Sequence, residues 1–144
     1  MFSKACEYGI RAATYIATQS LTGRRVSLRE IAEEIDSPMA FTAKILQQLS
    51  RNQILDSAKG AAGGFEIERA RIDQIRLGDI VFAIDGNAVY AGCGLGLREC
   101  NAAKPCPVHD KFVAIRNDLQ QMLENTSLYE MTLGLEAGLT YLKR

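Results

Sequence analysis

SLREIAEEIDSPMAFTAKILQQL, running from Ser27 to Leu49, is the stretch that decides the fold. Ser27 followed three residues later by Glu30 is a capping-box signature, and Leu28, Ile31, Ala32 and Ile35 give the buried stripe of a short helix ending near Asp36. A second helix must begin almost at once. Ser37 is placed to cap it, with Pro38 at its first position, where a missing N–H costs nothing. Phe41, Ile45 and Leu49 carry one apolar face through it. Two short helices joined by so tight a turn form a helix-turn-helix unit, whose second member can enter a major groove.

Upstream, a helix is expected from about Ser3 to Ser20, with Ala5, Ala12, Ala13 and Ala17 beside Ile10 and Ile16 making a small-residue face that permits close packing; Gly23 ends it. Downstream, residues 57–67 pass from Ile54 and Leu55 through Lys59, Gly60, Gly63 and Gly64 to Phe65 and Ile67, which reads as a β-hairpin wing. A helical period returns through Ile75, Leu77, Ile80, Val81 and Ile84, and Gly86 can end it. Val108, Phe112, Ile115, Leu119 and Met122 then recur at spacings of four and three, the seam of a helix that pairs with its copy. A last apolar helix is expected over Leu128 to Leu142. The expected fold is mainly α: a winged helix-turn-helix domain over residues 1–84, a cysteine-rich loop over 85–107, and a dimerisation helix with a helical tail over 108–144.

Projected around Phe41, Ile45 and Leu49, the opposite face of the second short helix carries Ala40, Ala43, Lys44, Gln47 and Arg51. Small residues let the backbone approach DNA, Gln47 can pair with a base edge, and Lys44 and Arg51 can reach bases or phosphates. The same face also suits an ordinary solvated surface. With Ser27 and Ser37 at the helix starts and Lys59, Gly60 and Gly63 in the wing, these residues make the candidate interface with double-stranded DNA. Bulk charge does not announce that partner, because 17 basic residues balance 17 acidic ones in the 144. From Ser37 to Phe65, however, Lys44, Arg51 and Lys59 face only Asp56.

The 4 cysteines are unevenly spread. Cys6 stands alone and reads as a small packed residue, whereas Cys93-x6-Cys100-x5-Cys106-x2-His109 brings three thiols and the only histidine into one Gly-rich segment. Thiolates with an imidazole suit iron or zinc alike, so spacing leaves the metal open. A reversible thiol redox switch is the metal-free alternative. No apolar stretch approaches the ~18 residues that span a bilayer, so a cytoplasmic protein without a membrane partner is expected. No nucleophile, base and oxyanion arrangement is visible, which argues against an enzyme.

Glu7-Tyr8-Gly9-Ile10-Arg11-Ala12, the Val26–Ala32 run, Lys44-Ile45-Leu46-Gln47-Gln48-Leu49, the wing Lys59–Phe65 and the three-cysteine loop before a long helix together resemble the bacterial winged-helix regulators of the Rrf-two superfamily. The resemblance covers nearly the whole chain. It implies a homodimeric transcription factor, a repressor by default, whose operator affinity is set by an iron-sulfur cluster sensing nitric oxide, redox state or iron-sulfur supply. By position it carries the cluster to Cys93, Cys100 and Cys106. The fourth ligand is His109 in the branch with a two-iron, two-sulfur cluster. In the nitric-oxide branch, with a four-iron, four-sulfur cluster, it would be Glu7 from the partner subunit. His109 and the two-iron cluster are favoured. Lys59 stands where the family often has Arg, which loses bidentate geometry at the wing.

Overall fold

The computed structural model describes residues 1–143; Arg144 lies outside them. The elements run α1 (Lys4–Leu21), α2 (Leu28–Glu34), α3 (Met39–Arg51), β1 (Asp56–Ala58), β2 (Gly64–Glu66), a 3-10 turn (Arg69–Arg71), α4 (Leu77–Asp85), α5 (Ala88–Ala91), α6 (His109–Asn125) and α7 (Leu128–Glu136). This is the expected winged helix-turn-helix. The main core joins Ala12, Ala13, Ile16 and Ala17 of α1 to Ile31 of α2, Ile45, Leu46 and Leu49 of α3, Ile80 of α4 and Leu128 of α7. The small-residue face of α1 does what its composition suggests: a Cβ added at Gly9 would lie 2.1 Å from Ile84 Cδ1, so the Ile84 side chain of α4 packs directly on the α1 backbone.

Local chemistry fixes the ends of the elements, with three departures from expectation. The Ser27 hydroxyl accepts from the Glu30 N–H at 3.2 Å, but the Glu30 carboxylate turns away to Arg24, both oxygens at 2.8 Å, so only half of the capping box forms. Ser37 does not cap α3. Pro38 is the cap residue, with φ −57° and ψ 139°, and the helix starts at Met39. Because Pro38 itself takes an extended ψ it occupies the cap position, and the Ser37 hydroxyl is left buried with no partner among the described residues. The tail helix, expected to reach Leu142, stops at Glu136 because Gly138 takes φ +69° and the Leu139 N–H turns back to the Gly134 carbonyl at 3.0 Å.

The wing pairs Asp56 with Glu66, Ser57 with Phe65 and Ala58 with Gly64. It is anchored to the segment before α2 by reciprocal Val26–Phe65 hydrogen bonds of 3.1 and 2.8 Å. Gly64 permits this, since its φ is +130° and a Cβ there would meet the Val26 carbonyl at 2.6 Å. At the far end, extended residues 75–77 pair with 126–128, tying the start of α7 into the winged domain.

Helix α6 differs from the expected seam. A second cluster packs its Leu123 and Leu119 against Leu77 and Val81 of α4 and against Cys6, whereas Ile115 and Met122 are 59% and 45% exposed. The inward stripe is therefore His109, Phe112, Arg116, Leu119 and Leu123, with Ile115 and Met122 on the outside.

Candidate functional site

On α3, Ala40, Lys44, Gln47 and Arg51 are exposed and Ala43 is half-buried, so the candidate reading face is free while Ile45, Leu46 and Leu49 hold the helix down. Phe41 packs edge-on to Tyr8 of α1 with ring centroids 5.7 Å apart, which sets the rotation of α3. Met39, 47% exposed at the helix start, is an apolar side chain that the sequence reading did not single out. Ser27 and Ser37 spend their hydroxyls differently, one as the α2 cap and one in the interior.

Lys59 and Gly60 are exposed at the wing tip. Gly63 serves the hairpin itself, because a Cβ there would sit 2.2 Å from the Ala58 carbonyl oxygen. Arg25 braces the wing from outside, donating to the Ala62 carbonyl at 3.2 Å and to Glu66 at 2.8 Å. That brace spans about forty positions in the chain, and no local motif announces it.

The cysteine segment, residues 92–108, connects α5 to α6. Cys100 Sγ lies 3.4 Å from His109 Nδ1. The Cys93 thiol is held below the ordinary thiol value chiefly by the Leu95 and Leu97 backbone N–H groups, with help from the Cys106 thiol and the Arg116 charge. Of the four donors, Cys100 and His109 are in direct contact. No three His, Cys, Asp or Glu among the described residues are grouped closely enough to hold one metal ion. All three thiols are half-buried and unbridged. The ring of Phe112 fills the space beside Gly94, where a Cβ would lie 2.5 Å from it. Arg116 donates to the Gly92 carbonyl and, at 3.1 Å, to Cys100 Sγ.

Cys6 is a different kind of thiol. It is fully buried against Leu77, Val81 and Leu123, and burial, reinforced by Asp85, pushes its pKa up to about 12. It is a packed, protonated side chain. Glu7, beside it in sequence, faces solvent and pairs with Lys4 at 3.4 Å.

The family model described as "Rrf2: Iron-dependent Transcriptional regulator" matches residues 2–133. The chain belongs to the Rrf2 family. Rrf2 proteins are DNA-binding transcriptional regulators and not enzymes. A chain of Aquifex aeolicus named as an HTH-type transcriptional regulator is 29% identical over 133 residues, covering 91% of this chain and 90% of its own. Among solved structures, CymR, titled the global cysteine regulator of B. subtilis, superposes with a TM-score of 0.73 at 19% identity, covering 92% of this chain and 96% of its own. IscR of T. potens gives 0.74 at 19% identity over 98% and 92%. These two similarities show the shared Rrf2 fold. No helix among the described residues is long and apolar enough to cross a membrane.

Sequence reasoning missed Arg25 and Arg116 for a common reason: each acts on acceptors far away in the chain, and periodicity does not register such contacts. A signal for Arg116 did exist. It stands seven residues after His109, on the same face of α6 two turns on.

Proposed function

We propose that this Rrf2 regulator binds double-stranded operator DNA as a homodimer through α3 and the wing, and that the 92–108 loop sets its operator affinity by holding a two-iron, two-sulfur cluster through Cys93, Cys100, Cys106 and His109. The observation that carries this reading is the donor set gathered in one loop, three half-buried, unbridged thiols and the single histidine, with Cys100 Sγ 3.4 Å from His109 Nδ1. Thiolates with an imidazole are ligands that an iron-sulfur centre accepts. The chemistry of the set also fits, because backbone N–H groups already aim at Cys93 as they do at cluster sulfurs. A cluster, when bound, would supply bonds sensitive to oxidation, nitric oxide and loss of iron.

The chain's own residues carry the consequence to DNA. The loop bears on α6 through Gly94 and Phe112; α6 bears on α4 through Leu119, Leu123, Leu77 and Val81; and α4 packs on α1 and α3. Two α3 helices must sit about 34 Å apart to read successive major-groove half-sites, so a shift of α6 changes how well they fit. The exposed pair Ile115 and Met122, seven residues apart on α6, supplies an apolar strip for a second copy. The exposed Gln47 supports a base-reading role, and Gln47→Ala is expected to weaken operator binding by about 1–3 kcal/mol with specificity relaxed at one base pair.

A thiol-switch reading is favoured by one specific observation, three half-buried, unbridged thiols in one loop, since a thiol that backbone N–H groups hold low, as at Cys93, is suited to reversible disulfide formation. The deciding experiment is the visible spectrum with iron, sulfide and zinc content of anaerobically purified protein, wild type beside His109→Ala and Glu7→Ala. Coloured protein with two irons and two sulfides per protomer, damaged more by His109→Ala, supports the two-iron assignment; four of each, with greater damage by Glu7→Ala, moves the fourth ligand to the partner subunit. Colourless protein that cannot be reconstituted leaves the thiol switch.

A further inference from the structure

Arg116 is a half-buried guanidinium on the inward face of α6, and among the described residues no carboxylate forms an ion pair with it. Its two donors go instead to the Gly92 carbonyl and to the Cys100 sulfur, the residues that flank the segment from Cys93 to Glu99. One rigid fork thereby fixes both ends of that segment to one point on the helix. Gly92 adjoins Cys93, and Cys100 contacts His109, so the fork touches the placement of three of the four proposed ligands at once.

We propose that Arg116 is a positioning residue that latches the cysteine loop to α6 and supplies the cationic N–H donor to the Cys100 sulfur. A planar fork can satisfy two acceptors at fixed separation, whereas a lysine presents one compact ammonium on a flexible stem and no rigid fork. An N–H donor at a ligating sulfur offsets negative charge and raises the reduction potential of the centre it serves. The latch itself is independent of the cluster reading; only its electrostatic part rests on that reading.

The test has two arms, with Arg116→Gln, Arg116→Lys and, as an exposed control on the same loop, Arg98→Gln. In reduced, metal-free full-length protein, hydrogen exchange read by mass spectrometry should show the 92–100 amides opening roughly tenfold more often in Arg116→Gln, with the α1–α3 amides unchanged. Arg116→Lys should lie between Arg116→Gln and wild type, and Arg98→Gln should match wild type. Cys100→Ala, which removes the sulfur acceptor, should reproduce part of the opening. In protein reconstituted with iron and sulfide, Arg116→Gln should move the midpoint potential to more negative values, with Arg116→Lys restoring most of it. Wild-type exchange of the 92–100 segment in Arg116→Gln overturns the latch, and an unshifted potential in a cluster-bearing variant overturns the donor role. If wild type takes up no iron and sulfide, the cluster reading is what fails, and the exchange arm alone decides the latch.

Discussion

The helix-turn-helix core and the cysteine segment are held by different forces. From α1 to α4 the interior is a continuous cluster of buried Ile, Leu, Val and Ala side chains, and even the wing is bolted on by paired backbone hydrogen bonds. From Gly92 to Val108 the backbone forms no helix or strand, and the named contacts are one aromatic ring, a sulfur–imidazole approach and one guanidinium fork. Apolar burial is strong and indifferent to redox chemistry, whereas contacts that converge on sulfur change when the sulfur changes. The first region is suited to keeping a DNA-reading helix in place, and the second to altering its surroundings on a signal.

That contrast can be broken by mutation, and the stability effects should fall in a definite order. Leu49→Ala, in the middle of the main core, is expected to cost about 3 kcal/mol in urea unfolding. Gly64→Ala should follow at about 2 kcal/mol, from a side chain at φ +130° driven against the Val26 carbonyl, with the wing detaching in hydrogen exchange before global unfolding. Removing the α2 cap by Ser27→Ala should cost about 1 kcal/mol. Cys100→Ser should barely move the unfolding midpoint, within about 0.5 kcal/mol, and leave the oligomeric state in sedimentation unchanged. A Cys100→Ser protein as damaged as Leu49→Ala would erase the distinction between the two regions.

The same division separates what could be read in the sequence from what could not. Helices α1 to α3, the wing and α4 announce themselves because their core faces follow the periods of their backbones and Ser27 caps by local chemistry. The cysteine cluster is legible as composition. Its pairing is not, because a spacing of Cys93, Cys100 and Cys106 carries no record of which sulfur meets which donor. On α6 the apolar period puts Phe112, Ile115, Leu119 and Met122 in one seam, but the structure divides it: Phe112 and Leu119 turn inward with Leu123 and the polar His109 and Arg116, while Ile115 and Met122 stay exposed. An apolar-only count misassigns a helix whose buried face turns polar where it meets a loop. The end of α7 depended on Gly138 adopting positive φ, a choice that an amphipathic pattern running to Leu142 conceals.

Operator affinity measured by fluorescence anisotropy at fixed salt tests the central claim most directly, with a fragment recovered by selection from genomic DNA. Wild-type protein carrying iron and sulfide would be compared with the same protein stripped of them, beside Cys100→Ser treated identically. The account predicts a clear change in affinity between the two wild-type samples and none between the two Cys100→Ser samples, with both proteins folded throughout. Equal affinity of loaded and stripped wild type would contradict it, leaving a winged-helix regulator whose cysteine loop does not speak to its DNA-reading helices.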